Sequence, residues 1–292
     1  MTRQLTHDVG FLGLGIMGAP MAANLAAAGP LLVWNRTRGA AEELATKGAE
    51  IAGSPSEVAE RASVIFVMLR DESATNAVLP FDGSVDYRDR TIVQMGTMTP
   101  EYSARLAERV TSAGGRYVEA PVSGSRRPAV AGQLVAMVAG DDADIERVRP
   151  HLEAMCSSIF VCGAPPNALT MKLAVNTFLI TMVTGLAESF HFAETAGLDL
   201  GVLERILDAG PMASPVSRSK AHKIVDVEWS PDAAIRDVLK NSRFVVDEAH
   251  RNGSAAPLME ASARLYEETN GLGFSEDDMA AVIRALRARV AE

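Results

Sequence analysis

Cysteine is nearly absent: Cys156 and Cys162 are the only two in 292 residues. Two thiols six positions apart in an otherwise cysteine-free chain cannot make the framework of a small disulfide-stapled fold, and they point to a reducing compartment, the cytoplasm. Excess positive charge is missing too. With 28 Lys and Arg against 37 Asp and Glu the formal charge is -9, which argues against nucleic acid and anionic membrane surfaces as partners. The five histidines show no metal-ligand spacing, so no metal site is expected, and His191, His222 and His250 read as structural or surface residues. The opening residues, Met1 to Asp8, lack the basic and long apolar regions of an export signal, so none is expected. A long unbroken apolar run is also lacking. The closest approach, Leu173 to Ala187, carries no charge but is interrupted by Asn176, Thr177, Thr181 and Thr184, and a span would need about 20 predominantly apolar residues. We read that stretch as a buried helix packed between two domains rather than a membrane span.

What is present is a regular alternation. Short apolar runs at Val9–Leu12, Leu31–Trp34, Val64–Leu69, Thr91–Met95, Arg116–Val118 and Leu134–Val138 are separated by Ala-, Leu- and Glu-rich stretches at 20–29, 39–48, 54–62 and 100–113. Strands alternating with helices predict repeated βαβ units on one largely parallel sheet. After Gly163 the strand pattern stops, and helical text broken at Gly197, 210–215, 230–231, 253–257 and 271–273 predicts an all-helical second domain. The expected division is residues 1–163 and 164–292.

The first run continues as Gly13-Leu14-Gly15-Ile16-Met17-Gly18 between a strand and a helix. In a dinucleotide-binding turn the first glycine permits the tight turn. The second lets backbone approach a pyrophosphate, and the third lets the helix pack on the strand. The anion then meets the N–H groups and positive dipole end of the helix. At the end of the second strand an acidic residue would bind the ribose 2′-hydroxyl of NAD. This chain has Asn35-Arg36-Thr37-Arg38 there, and an arginine with a neighbouring hydroxyl suits a 2′-phosphate, which favours NADP over NAD.

The motifs Gly13-Leu-Gly-Ile-Met-Gly, Ala120-Pro-Val-Ser-Gly, Lys172-Leu-Ala-Val-Asn and Leu239-Lys-Asn resemble, in order and spacing, those of β-hydroxyacid dehydrogenases, over nearly the whole chain. Val33-Trp-Asn-Arg-Thr and Ser123-Gly-Ser-Arg-Arg-Pro-Ala are most similar to the glyoxylate/succinic semialdehyde reductase branch. The resemblance implies a Rossmann-type α/β domain followed by an all-α domain of the 6-phosphogluconate dehydrogenase-like kind, assembled as a homodimer or homotetramer. It implies an NADPH-dependent oxidoreductase interconverting a small carboxylate-bearing aldehyde and its alcohol. Carried over by position, Lys172 is the catalytic lysine and Asn176 its partner, and Ser123 and Gly124 hold the substrate carboxylate. Thr97 touches cofactor and substrate, Met68 and Leu69 pass beside the dinucleotide, Lys240 closes over it, and Asn241 lies beside the substrate.

Read from the residues alone, Lys172 is equally compatible with a surface lysine laying its stem along apolar neighbours. Gln94-Met-Gly-Thr97 replaces the family's Asp-Met-Ser-Thr, proline and alanine replace glycines in 163–171, and Asn241 and Ala233 stand where an aspartate and a phenylalanine are usual. The last two remove a charge and a ring beside the substrate, which points to a substrate different from, or larger than, the named semialdehydes. Two other readings are an imine reductase-like enzyme, against which Lys172 argues, and a catalytically silent NADP-binding scaffold.

Overall fold

A computed structural model describes residues 7–290, so the expectation about an export signal falls largely outside the described residues. The chain divides into two compact units, Met1–Lys172 and Leu173–Glu292.

The first unit runs β1 (His7–Leu12), α1 (Gly18–Ala28), β2 (Leu31–Trp34), α2 (Gly39–Ala45), β3 (Glu50–Ile51), α3 (Pro55–Arg61), β4 (Ala62–Val67), α4 (Glu72–Val78), β5 (Thr91–Gln94), α5 (Pro100–Ser112) and β6 (Arg116–Glu119). Helix starts follow their caps: Ser54, Asp71 and Thr99 accept from Glu57, Ala74 and Tyr102 N–H groups, with prolines at the first positions of α3 and α5. The six strands pair in parallel in the order β3-β2-β1-β4-β5-β6. Successive strand residues feed opposite faces. In β4, Val64 and Phe66 join the core packed by Met21, Leu25 and Leu44, while Ile65 and Val67 join the core packed by Val58, Val78, Tyr102 and Leu106. Burial on both faces is why these strands read as continuous apolar text rather than as alternation. Strand order reverses between β1 and β4, and ligands of such sheets bind beyond the strand ends at that point.

One sheet was expected and two are found. Leu134–Val138 is not part of the parallel sheet: as β8 it lies between β7 (Val122–Ser123) and β9 (Cys156–Val161), antiparallel to the first and parallel to the second. α6 (Arg126–Val130) and α7 (Asp142–Glu153) complete the segment. Leu134, Ala136 and Val138 still bury themselves against Ile145, Val148 and Leu152 in the core that β1 shares, which accounts for their apolar text.

α8 (Asn167–Thr195) crosses from the first unit into the second. Its interrupting threonines bond back to helix carbonyls, Thr177 to Leu173 O at 2.9 Å, Thr181 to Thr177 O at 2.7 Å and Thr184 to Ile180 O at 2.9 Å, so their hydroxyls need no outside partner. By length and composition this is the one described helix able to cross a membrane, yet 44% of its most apolar window is buried inside the protein. The expected full burial is not found. Phe178 and Phe192 are 73% and 69% exposed, and with Met171 and Gly185 they recur every seventh residue along one exposed stripe.

The second unit continues with α9 (Leu200–Ala209), α10 (Pro215–Val225), α11 (Ile235–Arg251), α12 (Pro257–Gly271), a 3-10 turn at Met279–Val282 and α13 (Ile283–Val290). Leu173, Ile180 and Phe190 of α8 share one core with Leu239 and Val245 of α11 and Tyr266 of α12. Under α10 the buried Lys220 ammonium donates to Asp278 at 2.8 Å, and Asp278 also accepts from the Asp232 and Ala280 N–H groups. Leaving that lysine unpaired would cost several kcal/mol, so the network ties α10, the α10–α11 connection and the 3-10 turn together.

Candidate active site

Beyond β1, the Gly13 N–H donates to Trp34 O at 3.1 Å and the Leu14 N–H to Asn35 Oδ1 at 2.9 Å. The Asn35 amide donates in turn to Thr37 O at 2.7 Å. Asn35 therefore fastens the glycine loop to the loop after β2. Gly13 has φ +98°, and a Cβ there would lie 2.4 Å from Met68 O; a Cβ on Gly18 would lie 2.0 Å from Gly13 O. Both glycines are required by the fold itself. Gly15 is different, because a Cβ there would meet nothing within 4 Å. The protein has no packing reason for a glycine at the tip of this turn, whereas a pyrophosphate pressed against the backbone does. α1 also starts at Met17–Gly18 with no side-chain cap; the Ala19 N–H turns back to Gly15 O at 3.0 Å and Pro20 has none, so an anion would meet the turn that precedes them and the positive end of the helix dipole. Leu14 is buried, Ile16 is exposed and Met17 packs on the core. These residues fit a dinucleotide.

The neighbouring strand ends add to this cradle. Met68 and Leu69 leave β4 against Gly13, and a Cβ on Gly96 would meet Leu69 O at 2.4 Å, so the segment leading to Thr97 runs beside Leu69. The Ala120 N–H donates to Gln94 O at 2.8 Å, placing the Ala120–Gly124 run next to the end of β5. Ser123 closes β7, paired with Val135, and the turn begins at Gly124. Beyond β2, Arg36 and Thr37 are exposed, while Arg38 is engaged by Glu42 at 3.1 Å, four residues on.

Lys172 is not a surface lysine. It is 7% exposed, and burial pushes its ammonium from the usual 10.5 down to about 8. Asn176, one turn later on α8 and so on the same helix face, is 2% exposed, and its Nδ2 has no hydrogen-bond partner. On α11, Lys240 places its Nζ 5.4 Å from the Phe244 ring, and Asn241 has a buried, unpartnered Oδ1. A buried amide atom without a partner costs about 1–3 kcal/mol, a cost that a polar ligand removes. The first unit thus carries the residues at 13–18, 35–37, 68–69, 97 and 123–124 together with Lys172, and the second carries Asn176, Lys240 and Asn241.

One buried group escaped the sequence reading. Glu119, the last residue of β6, is 0% exposed. Its carboxylate accepts from Ser103 Oγ and from the first backbone N–H groups of α8. A glutamate closing the short strand Arg116–Glu119 directly after Tyr117 and Val118 is the only signal the sequence offers.

Comparison with known proteins decides the family. Residues 8–163 match the model described as the NAD binding domain of 6-phosphogluconate dehydrogenase, and residues 167–286 match the NAD-binding segment of NADP-dependent 3-hydroxyisobutyrate dehydrogenase. The chain belongs to the β-hydroxyacid dehydrogenase family. Glyoxylate/succinic semialdehyde reductase 1 of Arabidopsis thaliana is 34% identical over 96% of this chain and 98% of its own length. The 3-hydroxyisobutyrate dehydrogenase of Mycobacterium tuberculosis, solved with L-serine, has a TM-score of 0.84 at 26% identity over 97% of this chain and 99% of that one. The Salmonella typhimurium enzyme of the same name shares the fold, with a TM-score of 0.88 at 24% identity over 95% and 99%. This β-hydroxyacid dehydrogenase is therefore an NAD(P)-dependent oxidoreductase of hydroxy acids.

Proposed function

We propose that this enzyme uses NADPH to reduce a short aldehyde bearing a carboxylate, with Lys172 as proton donor. The observation that carries the reading is a buried lysine with no charged neighbour shifting it, on the same helix face as an asparagine whose buried amide nitrogen lacks a partner. Gly13–Gly18 would hold the pyrophosphate, Met68, Leu69 and Thr97 would flank the dinucleotide, Lys240 would cover it, and Arg36 with Thr37 would take the 2′-phosphate. When bound, the cofactor supplies a hydride to the carbonyl carbon. The Ser123 hydroxyl and the backbone at Gly124 orient the substrate carboxylate. Lys172 donates to the carbonyl oxygen, stabilises the negative charge that develops there, and delivers its proton to give the alcohol, ending as a neutral amine that solvent re-protonates. Asn176 Nδ2 donates to the same oxygen. In the oxidative direction the neutral amine accepts the alcohol proton.

A screen of short aldehyde acids with NADPH and NADH at one pH tests the substrate class. We expect glyoxylate- or semialdehyde-like acids to exceed their amide counterparts at least tenfold in kcat/KM, because losing a charge-assisted contact costs about 1.5–3 kcal/mol. Equal turnover of the neutral counterparts would remove Ser123 and Gly124 from the carboxylate role. The relative's reductase name and the L-serine complex of another relative support a small carboxylate substrate. Both cysteines are free thiols, in keeping with the cytoplasm as the compartment we propose.

We further propose a homodimer in which a second copy covers the stripe Met171, Phe178, Gly185 and Phe192 of α8. A seven-residue repeat of exposed apolar and small residues is the pattern of a helix–helix seam. Sedimentation at micromolar concentration should give a dimer for the parent and a monomer for the Phe178→Glu, Phe192→Glu double variant. A monomeric parent contradicts the assignment.

A further inference from the structure

We propose that Glu119 is a positioning residue: its buried carboxylate grips the first turn of α8 and thereby fixes where the Lys172 side chain sits. The proposal rests on the reading of Lys172 as proton donor.

Glu119 Oε2 accepts from the N–H groups of Ala168 at 3.0 Å and Leu169 at 3.2 Å, while Oε1 accepts from Ser103 Oγ. Ser103 Oγ lies 2.6 Å from the Tyr117 hydroxyl, so one buried chain joins α5, β6 and α8. Ser103, Glu119, Ala168 and Leu169 are all fully buried, and Leu169 packs into the core with Leu12, Val67 and Met98. A carboxylate facing the N-terminus of a helix satisfies donors that have no partner within it and gains from the dipole, which offsets its burial. Burial still raises the Glu119 carboxyl above the usual range.

Lys172 lies four residues after Ala168 and three after Leu169, and is thus the next residue above them on the same face. Side chains on a helix lean toward its N-terminus, so Lys172 leans toward the gripped turn. Glu119 also ends the strand that leads directly into Ala120–Gly124. One carboxylate therefore sets both the carboxylate-binding run and the turn below the proton donor. It acts through backbone placement rather than charge, since desolvation alone displaces the Lys172 ammonium. If the first turn loosens, water reaches the ammonium and its titration returns toward that of an ordinary lysine.

The test is the titration of Lys172, followed by NMR of 13C-ε-lysine-labelled protein and assigned by the signal that disappears in Lys172→Ala. The midpoint should lie near 8 in the parent. It should stay there in Glu119→Gln, whose remaining carbonyl oxygen still caps both N–H groups. It should rise by about one pH unit or more in Glu119→Ala. Where that variant does not fold, Glu119→Asp, one methylene too short to reach both donors, should move in the same direction. An unmoved Lys172 midpoint in Glu119→Ala or Glu119→Asp, even with a lowered Tm, overturns the proposal and leaves Glu119 as scaffold only. Because the readout is not turnover, it stands apart from the proton-donor reading, which fails separately if Lys172→Ala remains active.

Discussion

Replacing Lys172 by alanine is expected to lower kcat for aldehyde reduction about 10²–10⁴-fold, the range over which a positioned general acid contributes. The residues proposed to hold the cofactor phosphates, at 13–18 and 36–37, are separate from Lys172 in the chain, so NADPH affinity should stay within a few-fold of the parent. That split, collapsed turnover with preserved cofactor binding, marks a residue that acts in the chemical step rather than in holding the cofactor. Pre-steady-state hydride transfer together with a direct NADPH titration checks it. Turnover within a few-fold of the parent would reduce Lys172 to a structural lysine and reopen the imine reductase-like and scaffold readings.

The second large effect concerns cofactor choice. Arg36→Asp should remove a charge-assisted contact with the 2′-phosphate and place a carboxylate where NAD-binding turns present one to the ribose hydroxyl. Losing that contact costs about 1.5–3 kcal/mol, or roughly 10- to 150-fold in NADPH affinity, with added repulsion between carboxylate and phosphate. NADH affinity should hold or improve. Comparable kcat/KM with both cofactors in the parent would show that the loop does not discriminate.

Much of this was legible in the sequence because local physics dominates it. β2 occupies Leu31–Trp34 as expected, and the glycine loop sits between β1 and α1, since strand runs buried on both faces and glycine turns carry their own signatures. β4 begins and ends two residues earlier than its apolar run suggested, because Met68 and Leu69 leave the sheet to border Gly13. The second sheet was not legible: β7 is two residues long, and its antiparallel pairing with β8 leaves no periodicity to read. The partial exposure of α8 was hidden for a different reason. Phenylalanines read as core, and nothing in the uncharged stretch Leu173–Ala187 marks Phe178 as facing outward. Glu119 was missed because its partners lie 16, 49 and 50 residues away, a pairing that only the folded chain displays.

The pH dependence of kcat in both directions tests the central claim most directly. A donor that titrates near 8 must be protonated to reduce an aldehyde and neutral to oxidise an alcohol. Reduction should therefore be level below about pH 8 and fall above it, oxidation should rise across the same interval, and both limbs should vanish in Lys172→Ala. A reduction rate that stays level from about pH 6.5 to 9.5, with the parent and Lys172→Ala profiles parallel, would contradict the assignment of Lys172 as the proton donor.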